Sequence, residues 1–137
     1  MRALVLDSET LSRLARATQA NPPGVVHSWV RAAANLESRV LVPAAVLAEL
    51  YRGGAYDQTL DSFLSRHEGI QVVDTTRSLA KQVGHLLARI KAGSESHVDA
   101  CVVATALAAG GAVIITGDTN DLGCLASPHP QVDIISC

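Results

Sequence analysis

Four carboxylates in this 137-residue chain stand where an acid has to be accounted for. Asp7 and Asp118 each fall just beyond a short apolar run, Ala3 to Leu6 and Ala112 to Ile115, whose residues read as strands. An Asp at that point also makes a good N-cap, and Asp118 with Asp121 three residues on has the form of a capping box. Asp99 shares the ambiguity, because Ser96-His97-Val98-Asp99 fits the S-x-x-D capping pattern. The segment that follows it, Ala100 to Ala109, is uncharged and predicts a buried helix, with Asp99 at its wet end. Glu49 is different, since it lies inside the predicted helix Ala44 to Arg52 with Ala45 and Val46 on its own face. Capping cannot explain it there. The alternatives are a metal ligand and an ion pair with Arg52 three residues on, which also makes Arg52 a candidate substrate contact.

Taken together, acids at strand ends and on an apolar helix would converge on one crevice. Their mutual repulsion would raise the pKa of some of them unless a cation intervened. A ligand set made of oxygen alone, without His or Cys at ligand spacing, suits Mg2+ or Mn2+ rather than zinc. Ions held this way can activate water and stabilise the leaving oxygen of a phosphodiester.

The elements that must position these acids follow from periodicity. Leu11, Leu14 and Ala15 recur at helical spacing after Asp7, and Asn21-Pro22-Pro23-Gly24 reads as the end of that helix. A second helix carries Val26, Trp29, Val30 and Ala33 on one face and leads to a strand at Val40 to Val42, closed by Pro43. After the helix of Glu49, stopped by Gly53-Gly54, come a helix marked by Leu60, Phe63 and Leu64, a strand at Ile70 to Val73, and a longer helix through Leu79 to Ile90 ending at Gly93. Ser96 to Ala109 reads as helix, Ala112 to Ile115 as strand, a short helix follows Asp118, and Val132 to Ile135 reads as the last strand. Apolar strands alternating with helices predict an α/β chain, a three-layer α/β/α domain with a central parallel sheet. In such sheets ligands sit outside the carboxyl ends of the strands, where Asp7 and Asp118 lie.

With 48% hydrophobic and 18% charged residues, the chain can bury a core unaided, and residues 1–137 read as one domain without repeats or low-complexity segments. Cys101, Cys124 and Cys137 form no CxxC pair, and their odd number argues for a reducing compartment. Asp7 interrupts the N-terminal apolar run too early for a signal peptide, and the uncharged run Ala100 to Ile115 is shorter than a bilayer span and split by Gly110-Gly111. The expectation is a cytoplasmic protein with no membrane association. A net charge of −2 weighs against a nucleic-acid ligand only until the acids are sorted. With five of the 13 acids neutralised around metal, the 11 Lys and Arg residues outnumber the remaining acids by three.

At this point the residues match a family. LVLDSETLSRL, VPAAVLAELYRG, HVDACVVATAL and ITGDTNDL resemble, in order and over essentially the whole chain, the PIN-domain ribonucleases, especially the VapC-type toxins of bacterial toxin–antitoxin pairs. The resemblance implies that Asp7, Glu49, Asp99 and Asp118 are the metal-binding and catalytic acids, Thr116 a supporting hydroxyl two residues before the last of them, and Asp121 an auxiliary acid. It further implies Mg2+- or Mn2+-dependent cleavage of structured RNA such as tRNA or ribosomal RNA loops. A homodimer, inhibited by a VapB-type antitoxin in a heterotetramer or larger complex, is implied as well.

Other residues are given plainer roles. His27, His67, His85, His97 and His129 show no ligand spacing, and His97, close to Asp99, reads as solvating a helix end rather than as a substrate contact; Arg13, Arg16, Arg89 and Lys91 could grip phosphates but read first as a solvated face, and Trp29 reads as core rather than as a base-stacking platform. Of the competing functions, a nucleotide-binding domain lacks the glycine patterns it needs. A catalytically silent PIN-like module would be expected to have lost an acid, and a metal-dependent phosphatase would act on phosphomonoesters but not on RNA.

Overall fold

The computed structural model describes residues 2–22 and 24–137. Its elements run β1 (Ala3–Leu6), α1 (Ser8–Ala15), α2 (Val25–Asn35), β2 (Val40–Pro43), α3 (Ala44–Leu50), α4 (Ala55–Arg66), β3 (Ile70–Val73), α5 (Arg77–Arg89), a 3-10 turn (Ser94–Ser96), α6 (His97–Ala108), β4 (Ala112–Thr116), α7 (Thr119–Ala126) and β5 (Val132–Ser136). The strands form one sheet in the order β3-β2-β1-β4-β5. Every pairing is parallel, as the apolar strands predict.

Strand order fixes where a ligand can go. From β1 the chain moves outward through β2 and β3, returns to β4 on the other side of β1, and continues to β5. The direction of winding therefore reverses between β1 and β4, and it is at such a switch point that helices diverge and leave a crevice. Leu6 pairs with Ile115, which sets Asp7 beside Thr116 just beyond the two strand ends.

The core explains why the central strands hold their places. β1, β2 and β4 are buried along their whole lengths, whereas β3, at an edge, buries only Ile70 fully. α6 is buried at every position from Ala100 to Ala106, so the uncharged run is a helix enclosed on all sides, followed by a turn through Gly110 and Gly111 into β4. Gly110 and Gly111 have φ of +83° and +110°, a region that favours glycine. Trp29 and Val30 are partly buried against the core that Val26 and Ala33 enter fully. No helix among the described residues is long and apolar enough to cross a membrane.

Helix ends depart from expectation. α1 stops at Ala15 rather than running to Asn21-Pro22-Pro23-Gly24, of which Pro23 lies outside the described residues. Thr18 and Asn21 bond each other reciprocally through their backbones, and the Thr18 hydroxyl also accepts from the Asn21 amide at 3.1 Å. That local turn competes with further helix. α3 ends at Leu50, short of Arg52, and α5 ends at Arg89, short of Gly93, with Lys91 at φ +56° breaking the helical path.

Candidate active site

Asp7 is the best buried of the four acids, at 7% exposure. Its Oδ1 accepts from the Thr10 amide at 2.9 Å, so it is the N-cap of α1, and its Oδ2 accepts from the Thr116 hydroxyl. Capping and site-building are thus done by one side chain. Thr10 in turn donates from its hydroxyl to the Ile115 carbonyl at 2.7 Å, fastening α1 to the end of β4.

Thr116 joins the two strand ends. Besides donating to Asp7, its Oγ1 accepts from the Asp118 amide at 2.8 Å, which holds the loop of Asp118 against β4. Asp118 caps α7 by accepting from the Asp121 amide at 3.3 Å. The reciprocal half of a capping box is absent, because the Asp118 amide is taken by Thr116. Asp118 and Asp121 are both exposed, with their carboxylates free of ion pairs among the described residues.

At Asp99 the structure separates two readings left open by the sequence. Ser96 stands at the N-cap of α6 but makes no side-chain capping bond, since the 3-10 turn feeds directly into the helix with Ser96 already near the helical region. The S-x-x-D capping box does not form. Burial pushes the half-buried Asp99 carboxyl up to about 6, with the charges of Asp118, Asp121, Asp7 and Glu49 adding to the shift. Asp99 thus lies in the combined field of the other acids, the convergence expected of them.

Glu49 corrects an expectation. It sits on α3 as anticipated but is exposed, so burial on an apolar face does not account for it. Val46, on the same face one turn earlier, is buried in the core and Ala45 packs against it, so the face leaves the core only at Glu49, one turn on. No ion pair joins Glu49 to Arg52. Instead the Arg52 guanidinium donates to the carbonyls of Ala48 and Tyr51 at 2.8 and 3.0 Å, finishing the C-terminal end of α3, while the Arg52 amide is taken by Asp57. Glu49 borders two openings. One is a cleft along α1, and the other, of about 510 Å3, is lined by Arg52, Thr75, His97 and Val98.

Two residues at the site carry no signal in the sequence. The Ser8 hydroxyl, next to Asp7, is buried with no hydrogen-bond partner among the described residues. Glu9 lies across Gly117, where a Cβ would come within 1.7 Å of its carboxylate, and pairs with Arg13 at 3.0 Å. The position of Glu9 depends on α1 meeting the β4–α7 loop, a contact that only the fold reveals.

The donor set is all oxygen, the class preferred by hard divalent cations, and the repulsion at Asp99 is what a cation would relieve. Among the described residues no group of three or more His, Cys, Asp or Glu is arranged to hold a metal ion as it stands.

Comparison with known proteins identifies the family and the fold. The PIN domain matches residues 4–122, and the chain belongs to the PIN-domain family. In fold it is similar to VapBC2 from Rickettsia felis bound to a DNA fragment from the promoter, at 17% identity over 98% of each chain with a TM-score of 0.69. It is similar also to DNA-bound VapBC from Salmonella typhimurium, at 18% identity over 99% of this chain and 98% of that one with a TM-score of 0.68. VapBC-5 of Mycobacterium tuberculosis, a member of the VapBC family of toxin–antitoxin systems, shares the fold at 22% identity over 98% of each chain with a TM-score of 0.54. No curated protein matches the chain.

Proposed function

We propose that this chain is a metal-dependent endoribonuclease and the toxin of a toxin–antitoxin pair. The observation that carries the reading is the link through Thr116, which sets Asp7 and Asp118 together at the switch point with Asp99 in their shared field. PIN-domain membership supports it, since PIN domains are typically nucleases.

Asp7, Glu49, Asp99 and Asp118 would hold Mg2+ or Mn2+, with Asp121 as an auxiliary acid. Bound there, the ion supplies an activated water and charge relief at the phosphodiester. The chain's own groups prepare the place. Asp7 is fixed by two hydrogen bonds that leave lone pairs on both oxygens, and Thr116 keeps the Asp118 loop from swinging away. Arg52, which borders the same opening as Glu49, would meet a substrate phosphate with the guanidinium donors not taken by the carbonyls of Ala48 and Tyr51. The RNA is a structured one such as tRNA or a ribosomal RNA loop, and the protein works in the cytoplasm. A VapB-type antitoxin restrains it in a heterotetramer or larger assembly built on a homodimer, partners suggested by the VapBC complexes whose fold it shares.

The test is incubation of purified protein with total RNA in Mg2+ or Mn2+ and in EDTA. Discrete fragments are expected with metal and none with chelator. Cleavage that persists in excess EDTA overturns the metal-dependent reading.

A further inference from the structure

The face of α1 that turns away from the core borders a cleft of about 550 Å3. Ser8, Glu9, Ser12, Arg13 and Arg16 form one wall, and Glu49 stands on the other. The cleft is graded in charge. Its acidic end, at Glu49 and Ser8, opens on the acid cluster, and its far end carries Arg16.

Arg16 is not an ordinary surface arginine. Ion pairs among the described residues do not include it, and its guanidinium carbon lies 4.0 Å from the centroid of the Tyr56 ring. Tyr56 is itself fixed, donating from its hydroxyl to Ser12 Oγ at 2.9 Å. Ser12, Tyr56 and Arg16 thus form a unit in which an exposed cation is already oriented. A guanidinium held on an aromatic face loses less rotamer freedom when it engages an anion, and its planar fork suits a phosphate. Arg13 lacks this preparation, because it would first have to leave Glu9. The helical rise places Arg13 and Arg16 roughly 9 and 14 Å along the axis from Asp7. A nucleic-acid strand with one phosphate at the acids would run along this cleft and bring a flanking phosphate to Arg16.

We infer that the cleft along α1 is the track for the RNA strand beside the cleaved bond, and that Arg16, seated on Tyr56, grips a flanking backbone phosphate. The inference rests on the ribonuclease reading. Tyr56 is a positioning residue that acts through Arg16.

The experiment uses fluorescently labelled bulk tRNA with the full chain, as wild type, R16Q, R16K and Y56L. Binding is followed by anisotropy in EDTA over a series of NaCl concentrations, and cleavage of the same RNA under single-turnover conditions with Mn2+. R16Q is expected to bind about tenfold more weakly, with a plot of log K against log salt shallower by about one. Its rate at saturating RNA should stay within about twofold of wild type, since Arg16 contacts no reacting atom. R16K should keep the salt slope. Y56L should lose affinity while keeping the slope, because the charge remains and only its orientation is lost. Salt-dependent binding that R16Q loses, with no cleavage by either protein, removes the nuclease reading and retains Arg16 as an RNA contact. Cleavage by wild type with R16Q equal to it in affinity and slope overturns the role of Arg16 and leaves the nuclease reading standing. Absence of RNA binding by the wild type overturns the track outright.

Discussion

Thr116 and Asp7, 109 residues apart in the chain, share a hydrogen bond across the neighbouring ends of β4 and β1. Because the same hydroxyl oxygen accepts from the Asp118 amide, one buried threonine fixes the relative position of two candidate ligand acids. Replacing it with valine keeps the volume but leaves the Asp118 amide and one oxygen of Asp7 unpaired. Thr116→Val should therefore cost about 1–3 kcal/mol of stability and most of the RNA cleavage, while Thr116→Ser stays near wild type in both. Urea melts and a cleavage assay check this, and an unchanged melt for the valine variant would remove Thr116 as a strap.

The raised pKa of Asp99 makes the metal-free protein sensitive to pH in a direction opposite to most salt-bridged acids. With the carboxyl moved from 3.8 to about 6 in the folded state, the native protein binds the proton more tightly than the unfolded chain does. This contribution to stability is fully present below pH 3.8 and is lost as pH rises through about 6. Thermal melts in EDTA should show the loss in wild type and not in Asp99→Asn, which should equal or exceed wild type in stability at pH 7. Adding Mn2+ should stabilise wild type, by about 2.7 kcal/mol at a hundredfold excess over Kd, and the variant less. A variant with both the full metal-induced shift and full cleavage would take Asp99 out of the site.

Glu49 offers the cleanest separation of chemistry from folding, because it is exposed and unpaired with Arg52. Glu49→Gln should change stability by less than about 0.5 kcal/mol. Cleavage should nevertheless fall steeply, and the Mn2+-induced rise in melting temperature should shrink. Retention of both by a folded variant would exclude Glu49 from the ligand set.

Gly117 and Glu9 are coupled by contact. A methyl group at Gly117 would overlap the Glu9 carboxylate, the far end of an exposed side chain that can move. Gly117→Ala should accordingly cost about 1 kcal/mol or less, by displacing Glu9 and loosening its pair with Arg13. In the Glu9→Ala background the same change should cost less still, a non-additivity that a double-mutant cycle measures. Purely additive effects would show that the two residues do not meet in solution.

The sequence announces what repeats or alternates. Val and Ile at Val40 to Val42 and Ala112 to Ile115, set between helical periods, are enough to imply a parallel sheet, and with it the edge where Asp7 and Asp118 emerge. α1 stops earlier than its periodicity predicts, because the bond between Thr18 and Asn21 is a local competition that periodicity cannot register. The capping pattern around Ser96 is present in letters but not in hydrogen bonds, since the preceding 3-10 turn alters the backbone at the cap. The apolar face of α3 is legible in Ala45 and Val46, but periodicity does not show that it runs out of the core at Glu49, which borders open grooves. Arg16, just past the end of α1, and Tyr56, on α4, lie 40 positions apart, and no local pattern links a cation to the ring that will hold it.

Placing β4 directly beside β1 has a consequence for the order of synthesis. The centre strand of the sheet is made first, but its partner across the switch point belongs to the last quarter of the chain. A ribosome-bound chain that has not yet yielded β4 carries Asp7 without Thr116 to hold it and lacks Asp118 altogether. Its α6 also has no β4 to cover, so the apolar residues from Ala100 to Ala106 stay uncovered on that side. The acids therefore assemble in one late, long-range closure rather than by stages. On the toxin reading proposed above, a chain that stops short of β4 would not yet hold the paired acids.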